Sequence, residues 1–167
     1  AHDTAQAHGF FRIRDGDHVR RQFPVLVVQS LQVFPCFAAA FWKGGIALLC
    51  AREGDDLETV LYTLPPGGVR PRERLRLPGQ PGGLCICPDG VTALLSTPDG
   101  LMKAELATGR LVWNRPEWAL CMRMETCGGL ALISDTLTGD VCLLWHREPW
   151  KQRILLAGED AQACFCP

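Results

Sequence analysis

Two Cys-x-Cys pairs are the residues of this sequence best suited to binding a metal. Cys85 and Cys87 form one pair, and Cys164 and Cys166 form the other. Four thiolates can hold zinc, but zinc sites more often separate paired cysteines by two residues. Alternate residues of a strand face the same way, so both pairs are also compatible with packing in the core of a repeat. The sequence predicts that core packing, with no metal and no cofactor; zinc binding and a redox role remain alternatives.

Arginines occupy every second position of one short segment: Arg70, Arg72, Arg74 and Arg76. On a strand this period places all four guanidinium groups on one face, where they can bind a carboxylate-rich or phosphorylated partner in a bidentate manner. The alternative is an outermost strand that charge and proline keep from pairing edge to edge. The segment is the most specific surface feature that the sequence predicts.

Two tryptophans follow closely similar polar segments. Trp118 ends Arg115-Pro116-Glu117-Trp118, and Trp150 ends Arg147-Glu148-Pro149-Trp150. The similarity predicts two loops that are related by a repeat and lie on the same rim of the fold. Tryptophan near arginine is typical of protein interfaces, so these two residues and the arginine row form the predicted partner-binding set. The alternative is that each tryptophan caps the core of a repeat unit.

No catalytic residue is predicted. The histidines lack metal-ligand spacing and are expected to be ordinary surface residues: His2, His8, His18 and His146. Ser96 and Ser134 occupy equivalent positions of a repeat, and neither lies in a Gly-x-Ser-x-Gly turn. The sequence therefore favours a protein that is not an enzyme.

Composition and charge narrow the class of partner. The 167 residues are 47% apolar and 21% charged, as in an ordinary globular domain, and the net charge of -1 provides no field for binding nucleic acid or an anionic membrane. No apolar run has the length of a spanning helix, and the first residues do not resemble a signal peptide. The nine cysteines cannot all pair within the chain. We therefore expect mostly free thiols and a reducing, intracellular location, cytoplasmic or nuclear.

A repeat of four short strands organises the chain. Its period is marked by Cys36, Cys85, Cys121 and Cys164, at separations of 49, 36 and 43 residues. Propeller blades have periods of about 40 to 50 residues. Each unit contains a continuous apolar run (IALLC, ALLS or LALIS) that predicts a second strand buried on both faces, and Gly-Gly, Asp-Gly or Thr-Gly pairs predict tight turns.

The predicted fold is all-β: a propeller-type array of four-stranded antiparallel blades in an incomplete ring. An N-terminal segment, 1–8, is expected to be flexible, and 9–34 to form a hairpin of a partial blade with its connection. The remaining predicted units are three blades, 35–80, 81–118 and 119–160, and the first strand of a further blade, 161–167. Because fewer than four blades rarely close a ring, we expect the chain to belong to a longer propeller, or to complete its ring by oligomerisation or with another subunit.

Two segments resemble known propeller families. AELATGRLVW (104–113) resembles the repeat of quinoprotein-like propellers, and CPDGVTALLST (87–97) is similar to the second-strand region of YVTN-type and WD-repeat propellers. The chain lacks the Gly-His and Trp-Asp pairs of WD repeats, since Trp113 is followed by Asn114 and Trp145 by His146. It also lacks the adjacent cysteine pair of quinone-dependent dehydrogenases. The resemblance implies a fold and leaves the activity open.

The predicted function is a non-catalytic propeller module that serves as a scaffold for protein–protein interaction. Its partners would be another protein or further blades of the same polypeptide, with neither nucleic acid nor a membrane. The alternative is a lactonase- or quinoprotein-like enzyme that holds a metal or a cofactor in the central channel. That enzyme requires polar side chains on the innermost strands, which are mostly apolar in this sequence.

Overall fold

The computed structural model describes residues 36–52, 56–68, 70–135, 138–148, 150–156 and 164–165. This part of the chain is built from strands and contains no helix, so the predicted all-β class is confirmed. None of it could therefore cross a membrane as an apolar helix. The predicted units 1–8 and 9–34 lie outside the described residues. The strands are β1 (Cys36–Trp42), β2 (Gly45–Arg52), β3 (Glu58–Leu64), β4 (Arg72–Pro78), β5 (Leu84–Ile86), β6 (Thr92–Thr97), β7 (Gly100–Glu105), β8 (Leu111–Arg115), β9 (Arg123–Cys127), β10 (Leu130–Ser134), β11 (Val141–Trp145) and β12 (Gln152–Leu156).

The strands form three separate antiparallel sheets of four. The first sheet has the order β1-β2-β3-β4, the second β5-β6-β7-β8 and the third β9-β10-β11-β12. Within each sheet, every strand pairs with the strand that follows it in sequence, so each sheet is a simple meander. This is the predicted blade pattern.

Turn chemistry sets the register of the first hairpin. Trp42 pairs with Gly45, which leaves Lys43 and Gly44 as a two-residue turn. Both turn residues have positive φ, 45° and 76°. That combination is a type I′ turn, whose twist matches the twist of the flanking strands, and glycine provides one of the two left-handed positions without strain.

The second strand of each sheet is buried on both faces, as predicted. All six residues of β6 are buried, and the central residues of β2 and β10 are buried as well. Two apolar clusters account for this burial. One joins the first and second sheets around Leu49 and Leu95, and the other joins the second and third sheets around Leu94 and Ile133.

The three sheets are stacked in chain order. The innermost strands are neighbours, because β5 contacts both β1 and β9. Phe165 continues the series, since its backbone N–H donates to Glu125 Oε2 of β9 at 3.1 Å. The array is consistent with successive blades of a propeller, and the described sheets do not close into a ring.

Each sheet carries a β-bulge between its third and fourth strands. The register skips one residue of the outermost strand in each case: Arg74 in β4, Val112 in β8 and Leu155 in β12. A bulge bends the strand, increases its twist and moves the next side chain to the opposite face. A bulge in the outermost strand is therefore a further property that the three units share, although it lies near the start of β4 and β8 and near the end of β12.

The cysteines that mark the repeat do not occupy one equivalent position. Cys36 begins β1, Cys85 lies at the centre of β5, and Cys121 precedes β9 by two residues. Cys121 is fully buried, whereas Cys36 and Cys85 are half-buried. Each cysteine accompanies the first strand of a sheet. Cys36 and Cys121 each lie seven residues before the following turn, at Lys43 and Gly128, whereas Cys85 lies three residues before the turn at Pro88. The spacing of these cysteines therefore identified the three sheets, but it did not predict one equivalent position for the cysteine in each first strand.

Candidate partner-binding surface

The arginine row does not lie on one face of the first sheet. Arg70 precedes β4 and is exposed. Within β4, Arg72 pairs with Thr63, but the bulge at Arg74 shifts the register so that Arg76 pairs with Val60. Residues directly opposite each other in an antiparallel pair share a face. Because Thr63 and Val60 have opposite faces in β3, Arg72 and Arg76 do as well. The prediction of a single guanidinium face is wrong, and the bulge is the reason.

Two of the four arginines already have partners in the protein. Arg74 donates from Nε to Thr63 Oγ1 and from Nη1 to the carbonyl oxygen of Ala107, both at 2.7 Å. Ala107 belongs to the β7–β8 turn of the second sheet, so Arg74 connects two sheets. Arg76 forms ion pairs with Glu58 at 3.2 Å and Glu73 at 3.0 Å. Arg70 and Arg72 are the exposed members that remain from the predicted row.

Trp118 is a core residue. Its side chain is 5% exposed and belongs to the cluster between the second and third sheets. Its indole Nε1 donates to Gln152 Oε1 at 2.9 Å. This agrees with the alternative in which Trp118 caps the core, and the prediction that Trp118 is itself an exposed anchor is wrong. The apolar ring is buried because the connection between β8 and β9 packs against side chains of β6, β7, β10 and β11.

Trp150 is exposed, at 70% of its surface. It lies in the β11–β12 turn, whereas Trp118 follows β8, so the two loops are not related by the repeat. The structure nevertheless connects them through Gln152, which is two residues beyond Trp150. Gln152 Oε1 accepts from Trp118 Nε1 and also from Arg115 Nη2 at 3.1 Å. We call Trp150, Gln152, Trp118 and Arg115 the Trp150 platform.

Exposed apolar and basic side chains surround this platform. Ile154 of β12 is exposed and lies on the same face as Gln152, since the two pair with Cys142 and Leu144 of the intersheet cluster. The turn segment 147–151 contains two basic residues and one acidic residue, of which Lys151 and Glu148 form an ion pair. The surface is therefore an apolar anchor with a net positive border.

A buried polar contact between the second and third sheets was missed from the sequence. Lys103 of β7 is 6% exposed, and its Nζ lies 3.2 Å from His146 Nδ1 and 3.9 Å from Asp89 Oδ2. His146 is 1% exposed, so its predicted surface position is wrong. Its Nε2 lies 3.0 Å from the carbonyl oxygen of Gly128. Nε2 must therefore donate, which leaves Nδ1 to accept from lysine. The lysine at the centre of the third strand, GLMKAE, is the sequence signal that points to this contact.

The carboxylate of Asp89 is stabilised in its ionised form by Lys103 and by hydrogen bonds within the β5–β6 turn. Burial, the largest single influence, would raise the pKa of its carboxyl group. Hydrogen bonds from Thr92 and from the Val91 backbone, together with the charge of Lys103, outweigh burial and lower that pKa. Lys103 is thereby surrounded by acceptors, and we assign it a structural role in joining the two sheets.

The buried thiols are kept protonated. Burial raises the pKa of Cys87 to about 11, that of Cys121 to about 12 and that of Cys142 to about 11. Cys85 lies 3.4 Å from Thr126 Oγ1 at the seam with β9. Across the described ranges, no three His, Cys, Asp or Glu side chains are grouped so as to hold a metal ion. Cys166 lies outside the described residues.

Neither known protein families nor curated proteins provide a match to this chain. The propeller resemblance of 87–97 and 104–113 therefore stays a prediction. In the structure, the first segment forms the β5–β6 turn and β6, and the second forms the end of β7, a turn and the start of β8.

Proposed function

We propose that this protein is a non-catalytic scaffold of propeller-type blades that binds another protein through the Trp150 platform. The single observation that carries the proposal is the large exposed fraction of the Trp150 side chain on an anchored support. Tryptophan and arginine are enriched among the residues that dominate binding energy at interfaces. Arg115 and Trp118 hold Gln152 from the neighbouring sheet, so the turn that carries Trp150 is braced on its β12 side.

Charge indicates the chemistry of the partner. The excess of basic over acidic residues in 147–151 favours a partner whose apolar socket is bordered by carboxylates. Ile154 extends the apolar area along β12. Arg70 and Arg72 of the first sheet remain candidate contacts for acidic groups, and Arg74 and Arg76 contribute indirectly, by holding the sheet and its neighbour.

The test compares two truncations of exposed aromatic residues on different sheets. Trp150→Ala removes the proposed anchor, and Phe37→Ala, whose side chain is 49% exposed on β1, is the matched control. Proteins captured by the wild-type chain are identified by quantitative mass spectrometry, and the strongest is purified and titrated by calorimetry. Loss of a buried tryptophan anchor raises Kd by at least about tenfold, or about 1.4 kcal/mol. Equal Kd values for wild type and Trp150→Ala would contradict the proposal.

Charge reversal provides a second measurement. Arg147→Glu, in the turn that carries Trp150, is expected to slow association with the same purified partner and to weaken its dependence on salt, because border charges act mainly on the association rate. Unchanged association kinetics would remove the acidic partner from the proposal. A stoichiometric metal ion in the purified protein would instead favour the lactonase- or quinoprotein-like alternative.

The propeller assignment rests on the order of the innermost strands and on the shared bulge. Each unit adds one inner strand beside the last, and the bulge adds twist to the outer strand of every unit. An experimental structure that places β1, β5 and β9 around one axis would support the assignment. Sheets stacked without rotation about an axis would contradict it.

A further inference from the structure

Cys36 and Cys50 face each other across the first two strands. They are paired residues of β1 and β2, and Cys36 packs against the apolar cluster that contains Cys50. Opposite Cα atoms of antiparallel strands are about 4.5–5.5 Å apart. A disulfide requires a Cα separation of about 4.4–6.8 Å, a range that contains the separation typical of such pairs.

An irregularity in the strand register next to Cys36 favours formation of a disulfide between Cys36 and Cys50. The register of β1 shifts between Cys36 and Ala38, immediately after the first cysteine. Opposite Cβ atoms must approach to about 3.8 Å in a disulfide, somewhat closer than in an ordinary cross-strand pair. The irregular register at Cys36 allows this small movement without disturbing the remainder of β1.

The two thiols differ in access and in acidity. Cys50 is fully buried, whereas Cys36 is half-buried, so a reagent from solution reaches Cys36 first. The interaction with the Cys50 thiol lowers the pKa of Cys36. The same interaction, followed by burial, raises the pKa of Cys50. Cys36 is therefore the better nucleophile, and Cys50 the thiol that follows.

We propose that Cys36 and Cys50 form a redox-modifiable pair that a low-molecular-weight disulfide such as glutathione disulfide converts into a cross-strand disulfide. The Cys36 thiolate attacks one sulfur of glutathione disulfide, which forms a mixed disulfide and releases one glutathione thiolate. The Cys50 thiol then loses its proton to solvent and attacks the Cys36 sulfur. The second glutathione leaves as thiolate, so the protein loses two electrons and two protons and one glutathione disulfide becomes two glutathione molecules.

The other described cysteines lack this arrangement. Cys85 pairs with Leu94 across β5 and β6, Cys142 with Ile133 and Ile154, and Cys127 with Leu130. Within the described strands, Cys36 and Cys50 are thus the pair of cysteines that the register places opposite each other. Exposed Cys127 is expected to accept glutathione without closing a second bond.

The experiment uses the full chain and glutathione disulfide. After oxidation and alkylation of the remaining thiols, trypsin yields peptides 22–43 and 44–52, each with one cysteine. The expected product is these two peptides joined, lighter by two hydrogens than their sum, and separated by reduction. Accumulation of glutathione on Cys36 without the joined peptides, or preferential pairing of Cys36 with another cysteine, would overturn the proposal.

Two variants test the order of attack. Cys50→Ser is expected to accumulate the mixed disulfide on Cys36, because the second thiol is missing. Cys36→Ser is expected to leave Cys50 unmodified under the same conditions. Tryptophan fluorescence checks that both variants are folded, and modification of Cys50 in a folded Cys36→Ser variant would contradict the assigned roles. Joined peptides that form equally well in urea would show that the folded register is not required, which also overturns the proposal.

Discussion

Gly109 tests how tightly the first and second sheets pack. This residue ends the β7–β8 turn with φ of +75°, and a Cβ added to it would lie 1.7 Å from the carbonyl oxygen of Arg74. Real Cβ atoms essentially never approach closer than 3.0 Å, so Gly109→Ala must displace the turn or β4 by more than 1 Å. The displacement also stretches the bond from Arg74 Nη1 to Ala107.

The expected cost is several times that of a matched control. Gly67 lies in the β3–β4 turn with φ of +68° and has no atom within 4 Å of an added Cβ. An alanine in the left-handed region costs about 1–2 kcal/mol, and about 0.5 kcal/mol of this is offset by the stiffer unfolded chain. At Gly109, overpacking adds about 2 kcal/mol and the weakened Arg74 bond about 1 kcal/mol. We therefore expect Gly109→Ala to lower the free energy of unfolding by about 3 kcal/mol more than Gly67→Ala.

Urea unfolding, followed by tryptophan fluorescence, measures both variants. The change in the free energy of unfolding is calculated from the shift of the urea midpoint with the m-value held constant. A changed m-value would indicate a different unfolded state. If Gly109→Ala proves too unstable to purify, both alanine variants are compared in the same stabilising osmolyte. Equal midpoints for the Gly109 and Gly67 variants would refute the close contact between β4 and the β7–β8 turn.

The remaining predictions concern the seam between the second and third sheets. Trp118→Ala should lower the free energy of unfolding by about 3–5 kcal/mol and Trp150→Ala by less than about 0.5 kcal/mol, and equal midpoints in urea would contradict their assigned burial. His146→Ala leaves the Lys103 ammonium buried without its nearest acceptor and should cost about 3 kcal/mol at neutral pH, measured in the same way. The lowered pKa of Asp89 contributes stability that is present above the unfolded value of about 3.9 and is lost as pH falls through the folded value. Asp89→Asn should therefore be less stable than wild type at pH 7 and converge with it under acid conditions, and a constant difference between the two would contradict the assignment.

Local sequence patterns predicted the strands because each pattern is itself a local property. The run 47–50 is buried on both faces of β2, and the predicted Gly-Gly turn forms one residue earlier, at Lys43 and Gly44. The order of the strands in each sheet is their order in the sequence, because within a sheet every strand pairs with the next one along the chain. The residues 104–107 have high helix propensity but form no helix, because β7 ends at Glu105 and a turn that ends at Gly109 follows.

The candidate site was less predictable, because it depends on which sheet covers which residue. Trp118 and Trp150 have similar neighbours in sequence, yet one is buried and the other exposed. The difference arises because Trp118 belongs to the apolar cluster between the second and third sheets, whereas Trp150 lies in an exposed turn. The bulge at Arg74 has no distinctive sequence signal either, and one extra residue was enough to divide the predicted guanidinium face.

By itself, the sequence determined the class of fold, the four-strand unit and the strands that are buried, because periodicity and turn residues act over a few positions. Only the tertiary structure decided which polar groups lie at the seams. Lys103 and His146 are 43 residues apart, and nothing near either one requires an acceptor or a donor on the neighbouring sheet. The stacking of the sheets brings them together, and burial then makes their hydrogen bond necessary.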